Sequence, residues 1–258
     1  MPEVRYPVVE LRQYTLRPGQ RDVLIELFDR EFVESQEALG MAVVGQFRDL
    51  DSPDRFVWLR GFQDMPSRAE ALRSFYTGPI WRTHGPAANA TMVDSDDVLL
   101  LRPVAGRFGF PAPVAARPGA DADGGGDGGG DGGGDGGGDA PGSLVVATMY
   151  FRDRPFDDAF ADFFEHQLRP ALTEAGATPL ARLHTEYAEN TYPALPVRAG
   201  EHAFVWFARF DSVRALDDHL SRLRGCDRWQ NDLLPRLSTL AGPARRLRLA
   251  PTARSLLR

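Results

Sequence analysis

Residues 56–62 read FVWLRGF and residues 204–210 read FVWFARF. Sliding the sequence by 148 positions superposes these two stretches, and the same slide carries Leu72 onto Leu220, Trp81 onto Trp229 and Leu99-x-Leu101-x-Pro103 onto Leu247-x-Leu249-x-Pro251. Upstream, a slide of 136 brings Tyr14, Phe28 and Gly40 onto Tyr150, Phe164 and Gly176. The offset changes by twelve because of extra residues in TEYAENTYPALPVRAGEH, a Pro-containing insertion between two strands of the second copy. The chain is therefore an internal duplication, and one copy read closely gives the fold of both.

In the first copy, residues 8–16 alternate as a strand does, with Pro18 and Gly19 marking a turn. Residues 21–39 place Leu24, Leu27, Phe28 and Phe32 at helical spacing, and Gly40 ends that helix as a C-terminal cap. Strands are expected at 42–49 and 55–62, joined through Asp51-Ser52-Pro53-Asp54. Asp64 or Ser67 can cap a second helix through Phe75, and Trp81 falls in a further helical segment after Gly78-Pro79. A last strand at 98–102 stops at Pro103. Strand, helix, strand, strand, helix, strand is the ferredoxin-like order, so the fold class is α+β with two such βαββαβ domains. A sheet with helices on one face leaves its other face bare, and two copies in one chain can cover each other.

Between the copies lies PAPVAARPGADADGGGDGGGDGGGDGGGDAPGS. After Val114 it has almost no apolar side chains and cannot offset the entropy of ordering, so residues 104–143 are expected to be a flexible linker between domains 1–103 and 144–258. The linker holds much of the acidity. The whole chain of 258 residues carries a net charge of −6, and the near-neutral remainder argues against nucleic acid as a partner. All 30 basic residues are Arg and none is Lys, which excludes a lysine Schiff base and a Walker-type phosphate loop. No apolar run is long enough for a membrane span. The opening residues do not read as a secretory signal, so a cytoplasmic protein is expected. One cysteine, Cys226, allows no internal disulfide and reads as a buried structural thiol.

At this point VELRQYTLRPGQ, FVWLRGF and NATMVDSDDVLLLRP resemble the NIPSNAP family of dimeric α/β-barrel proteins, and DRWQNDLLPRLSTL with RRLRLAPT resembles it more distantly. The resemblance covers nearly all of residues 8–103 and most of 144–251. It implies that the two antiparallel sheets pack as an intramolecular dimeric α/β barrel, so that a monomer suffices, with a higher homo-oligomer as the other arrangement. The wider superfamily includes cofactor-free monooxygenases, cyclases, isomerases and haem enzymes, so fold does not fix function.

Alternation puts Glu10, Arg12 and Tyr14 on one face of the first strand and Phe56, Trp58, Arg60 and Phe62 on one face of the third. The opposite faces, Val9/Leu11 and Val57/Leu59, suit packing beneath helices, which points the polar and aromatic sets into the barrel. There Glu10, Arg12 and Tyr14 can serve as general base, oxyanion stabiliser and proton donor in an aromatic-walled pocket for a small aromatic or lipophilic molecule; alternatively Glu10 and Arg12 form a satisfied ion pair. Trp58, Arg60, His84, His184 and Trp206 are candidate ligand contacts, with Trp58 and Trp206 facing the same cavity. His184 shares a strand face with Arg182 and Glu186, either as an acid-base set or as a solvated face. His166 and His219 are expected to face solvent. No His or Cys pair has ligand spacing and no glycine-rich nucleotide signature follows a strand, so no metal and no cofactor is expected, with a single axial His for haem as the alternative.

Overall fold

A computed structural model of the chain describes residues 5–112, 116–119 and 142–258. The first half runs β1 (Val8–Leu16), α1 (Arg21–Leu27), a π-helical turn (Phe28–Phe32), α2 (Val33–Glu37), β2 (Ala42–Asp49), β3 (Arg55–Phe62), α3 (Met65–Thr77), α4 (Pro79–Thr91) and β4 (Met92–Pro103). The second repeats it as β5 (Leu144–Arg152), α5 (Asp158–Phe163), a π turn (Phe164–Leu168), α6 (Arg169–Glu174), β6 (Pro179–Thr185), β7 (His202–Phe210), α7 (Val213–Gly225), a π turn (Trp229–Leu233), α8 (Leu234–Leu240) and β8 (Arg245–Pro251). The duplication extends to local geometry. The π turns at Phe28–Phe32 and Phe164–Leu168 superpose under the slide of 136, and Gly40 and Gly176 both take the left-handed φ, +83° and +101°, that lets the chain reverse after a helix.

Asp64 accepts from Ser67 N at 2.7 Å and starts α3 as the sequence suggests. β4 is longer than expected, because residues Met92 to Asp97 pair along Gln13–Leu16 through two irregularities of register.

The eight strands close in the order β1-β3-β2-β8-β5-β7-β6-β4. Two seams join the halves. Phe47–Asp49 pair with Leu249–Pro251, and Leu101–Pro103 pair with Leu183–Thr185. Each seam is lengthened by chain outside the strands: Thr252 and Leu257 donate to Gln46 O and Val44 O, and Glu186 and Arg198 donate to Leu100 O and Val98 O. Parts of the expected linker pack on the barrel, since Phe110 lies against Phe207 with ring centroids 4.9 Å apart and Arg117 reaches Glu37 at 2.7 Å. The remainder, residues 113–115 and 120–141, lies outside the described residues.

The strand faces are opposite to the sequence expectation. Val9, Leu11, Val57 and Leu59 point into the barrel, where they meet Val145, Ala147, Leu183, Val205, Phe207, Leu247 and Leu249 in one apolar interior built by both halves. Tyr14, Phe56, Trp58 and Phe62 lie between the first sheet and its own helices, among Leu24, Phe28, Phe32, Leu72 and Phe75. The reason is room. The inside of an eight-stranded barrel is narrow and is filled mostly by aliphatic side chains, whereas the layer under the helices about 10 Å away takes most of the rings. The barrel interior is therefore packed, and the polar and ring sets lie in two separate layers, one beneath the helices of each half.

Candidate functional site

In the first of these layers, β1 and β3 are direct neighbours, with Glu10 opposite Arg60, Arg12 opposite Trp58 and Tyr14 opposite Phe56. Glu10 is completely buried and is held by three guanidiniums. Arg12 Nη1 donates to Oε2 at 2.8 Å, Arg60 Nη2 to Oε2 at 2.6 Å, and Arg68 Nε to Oε1 at 2.7 Å. None of the three arginines is more than 1% exposed. Their other partners are neutral: Tyr14 Oη accepts from Arg12 Nε at 2.9 Å, Gln36 Oε1 from Arg60 Nη1 at 3.0 Å, and Asn190 Oδ1 and Thr191 Oγ1 from Arg68 Nη1 at 3.0 and 3.3 Å. The cluster thus buries two positive charges beyond what Glu10 compensates.

Burial alone would raise the Glu10 carboxyl, but Arg60, Arg12 and Arg68 outweigh it and hold the group far below its ordinary 4.5. A carboxylate this stabilised is a poor proton acceptor, so the general-base role suggested by sequence does not suit Glu10; it orients guanidiniums. Burial pushes the Tyr14 hydroxyl up against the pull of Arg12, which keeps it protonated near neutrality with its own hydrogen free to donate. Arg12 keeps its charge, because Tyr14 and Glu10 overcome the desolvation. Arg68 differs: burial draws it down against the support of Glu10.

Two donors in the cluster have no good acceptor. Trp58 Nε1 is buried without a hydrogen bond, and Arg68 Nη2 lies 2.7 Å from Glu10 Oε1 at an angle that makes an ion contact but no hydrogen bond. Rings surround the cluster. Trp58 meets Phe28 at 4.8 Å and Tyr14 at 6.0 Å, Tyr76 meets Trp81 at 4.6 Å, and Tyr192 stacks on Tyr76 at 6.0 Å with planes 22° apart.

Of the residues singled out from sequence, Glu10, Arg12, Tyr14, Trp58 and Arg60 come together here. The others do not. Trp206 lies under the helices of the second half, so it shares no cavity with Trp58. His84 pairs with Glu31 at 3.4 Å in a helix-to-helix contact. His184 stands opposite Arg102 on the β4–β6 seam, while its expected companions go elsewhere, Arg182 to Glu165 at 2.7 Å and Glu186 to Arg102 at 3.9 Å. Burial and Arg102 push the His184 ring below its ordinary value. His166 is exposed as expected, but His219 is buried: it shares the inward stripe of α7 with Leu216 and Leu223, and its Nδ1 lies 3.1 Å from Ala175 O. Cys226 is only half-buried, at the margin of the second half's core.

Sequence reading missed Arg68. Its signal was present, because Arg68, Ala71, Leu72 and Phe75 follow the 3, 4, 7 spacing of one helix face, and a charge on an apolar stripe asks for a buried partner. It also missed Gln36 and the insertion residues Asn190, Thr191 and Tyr192, which reach the first half's site from the second.

The second half keeps the ring pair but not the charges. Tyr150 and Trp206 repeat Tyr14 and Trp58, while Val146 and Thr148 stand where Glu10 and Arg12 do. Its one cation has moved across a strand, since Arg246 faces Thr148 in the pairing that sets Val98 against Arg12. A small pocket of about 20 Å³ lies among Thr148, Tyr150, Trp206, His219 and Arg246, the room of roughly one water molecule. Trp206 Nε1 points toward the Tyr150 hydroxyl without reaching good hydrogen-bond geometry. Among the described residues no group of three or more His, Cys, Asp or Glu is placed to hold a metal ion, and no helix is long and apolar enough to cross a membrane.

Residues 9–106 match the NIPSNAP family model. The first copy is thus a NIPSNAP domain. Among solved structures it is similar over 97% of its length to a Fusobacterium nucleatum protein provisionally assigned as a monooxygenase, at 9% identity, a TM-score of 0.56 and 94% coverage of that protein. A Lactobacillus acidophilus protein with the same provisional assignment gives 13% identity and a TM-score of 0.50 over 96% of this chain and 94% of its own. A NIPSNAP-like domain protein from Burkholderia xenovorans is 26% identical, covers 43% of this chain and 95% of its own, and has a TM-score of 0.37. The two full-length likenesses establish the two-domain barrel. Among characterised proteins compared by sequence, none matches this chain.

Proposed function

We propose that this NIPSNAP protein binds one small aromatic or lipophilic anion between β1/β3 and the helices of its first half. The observation that carries the reading is the pair of uncompensated guanidinium charges buried at Glu10, Arg12, Arg60 and Arg68. Buried charge without a counterion is costly, and a bound anion supplies one. Arg12, the Tyr14 hydrogen and the orphan Trp58 Nε1 are donors that an oxyanion can accept from, and the surrounding rings suit a flat apolar body. Glu10 and Arg60 hold the arrangement in place.

Turnover as a cofactor-independent monooxygenase, cyclase or isomerase, of which the names of the full-length neighbours mention only a monooxygenase, would draw on the same Arg12 and Tyr14 to stabilise an enolate or phenolate. Binding is the better reading, because Glu10 is the sole carboxylate hydrogen-bonded in the cluster among the described residues and is too acidic to abstract a proton. The test is calorimetric titration of the full chain with benzoate, with benzyl alcohol as the uncharged analogue. Benzoate should bind once per chain and Arg12→Leu should weaken it at least about tenfold. Equal affinity for the alcohol, or unchanged benzoate affinity in folded Arg12→Leu, would overturn the reading.

A further inference from the structure

The connection between β6 and β7 runs from Glu186 to Glu201, where the equivalent β2–β3 connection takes only Leu50 to Asp54. It crosses from the second half onto the first. Its ends are fixed to β4 by Glu186 N on Leu100 O at 2.8 Å and Arg198 N on Val98 O at 2.9 Å. Between those anchors it touches the first half's site at its tip. Asn190 and Thr191 accept from Arg68, Thr191 Oγ1 also donates to Met65 O at 3.2 Å, and Tyr192 lies on Tyr76.

Asn190 is shaped for this task. Its Oδ1 accepts from Tyr192 N at 3.1 Å as well as from Arg68, while its Nδ2 donates to Leu195 O at 2.9 Å. One side chain therefore sets both the turn that aims Tyr192 and the acceptor offered to Arg68. Glu10 occupies the Nε side of the Arg68 guanidinium, and the outer Nη1 meets only neutral oxygens from this segment. Neutral acceptors on a buried cation leave its charge uncompensated, which a carboxylate would not. Asn190 and Thr191 thus stand where an acid's oxygens would be better placed, beside an Nη2 that still lacks a hydrogen bond.

Resting on the anion-binding reading above, we infer that Asn190 and Thr191 of the second half are competitive stand-ins for the ligand's carboxylate on Arg68, and that binding of a small aromatic acid displaces the 189–192 segment. The aromatic acid sets one oxygen on the outer edge of Arg68 and turns the other toward the Arg12 and Tyr14 donors, its ring enters beside Tyr76, and Tyr192 leaves its stack. The second half in this way governs access to a site whose charges all belong to the first.

The experiment compares wild type, Asn190→Ala, Thr191→Val and Arg68→Gln as full chains, titrated with benzoate and followed by hydrogen exchange. Freed of its neutral partner, Arg68 should bind benzoate about tenfold more tightly in Asn190→Ala, with a smaller gain in Thr191→Val, and Arg68→Gln should lose binding. In wild type, saturating benzoate should raise exchange across residues 188–193. Unchanged or weaker binding in both Asn190→Ala and Thr191→Val, or exchange that falls on binding, would overturn the displacement while leaving the site itself standing through Arg12→Leu and Arg68→Gln. Unaltered binding in both arginine variants would overturn the site and the displacement together, as would no benzoate binding by wild type and by the two loosened variants. Thr191→Val changes one hydroxyl on an exposed residue, so it keeps the test decisive if Asn190→Ala fails to fold.

Discussion

Glu10→Gln is the sharpest probe of the buried cluster, because it removes a charge and almost nothing else. The side chain keeps its volume, so no cavity is created, and one oxygen can still accept. What changes is that three guanidiniums, packed at 2.6–2.8 Å around the old carboxylate, now face an amide whose NH2 points a donor at one of them. Removing one partner of a buried ion pair typically costs about 3–5 kcal/mol, and here a single carboxylate serves three partners, so the upper part of that range is expected. At roughly 2–4 °C per kcal/mol for a chain of this size, the melting temperature should fall by roughly 8–20 °C. That loss is a large part of the 5–15 kcal/mol that usually holds a domain folded.

The pH dependence gives an independent check on the cause. Glu10 is held well below its ordinary 4.5 in the folded chain. A depressed carboxyl stabilises the fold fully above its unfolded value and loses that contribution as pH falls below it. Wild type and Glu10→Gln should therefore differ most at pH 6–7 and converge as the solution is taken from about pH 4.5 downward. Thermal melts of both proteins from pH 7 to pH 3 provide the assay. A melting temperature within about 2 °C of wild type at pH 7, or a difference that stays constant across the whole range, would refute the claim that one carboxylate balances this cluster.

Three further outcomes are expected. Leu59→Ala, fully buried in the barrel interior that both halves share, should cost about 2–5 kcal/mol while scanning calorimetry still shows one transition; two separate transitions would contradict a common interior. Burial holds the His219 ring below its ordinary 6.5, so its neutral form stabilises the fold above that pH and the contribution fades as pH falls; His219→Gln should flatten the stability profile below pH 6.5, and an unchanged slope would assign it wholly to other groups such as His184. Thr148→Val, in the half that lacks the charge cluster, should leave benzoate affinity unchanged, and a loss comparable to Arg12→Leu would place the binding site in the wrong half.

The elements of this fold are legible in the sequence because each is fixed by short-range pattern. Residues 8–16, 42–49 and 55–62 alternate cleanly and become β1, β2 and β3 with those bounds, and the repeat at 136 and 148 positions carries the same reading to the second half. Which face looks inward was not legible. Alternation separates Glu10, Arg12 and Tyr14 from Val9 and Leu11, but it does not say which set meets the helices. That depends on the width of the closed barrel, a property of all eight strands together. The site was half legible for the same reason: residues on neighbouring strands declare themselves by alternation, whereas Arg68 comes from a helix and Asn190 from an insertion 122 positions away. Contacts of that separation leave no periodic trace.

Joining two copies in one chain also explains why the charge cluster is gathered in one half. In a homodimer, symmetry imposes each substitution on both sites at once. A covalent tandem is free of that constraint, and the pattern of differences here shows how it was used. The cluster is interdependent, since Arg12, Arg60 and Arg68 without Glu10 would leave three buried cations, and Glu10 without them would leave a buried anion. Partial versions are therefore costly, and intermediate states are disfavoured. The second half accordingly carries neither Glu10 nor Arg12 but Val146 and Thr148, and its Arg246 sits across the strand where water reaches it. That half also carries the longer β6–β7 connection, which lies over the neighbouring site. The inequivalence of the halves is thus a division of labour: one encloses the cations, and the other supplies the side chains that cover them.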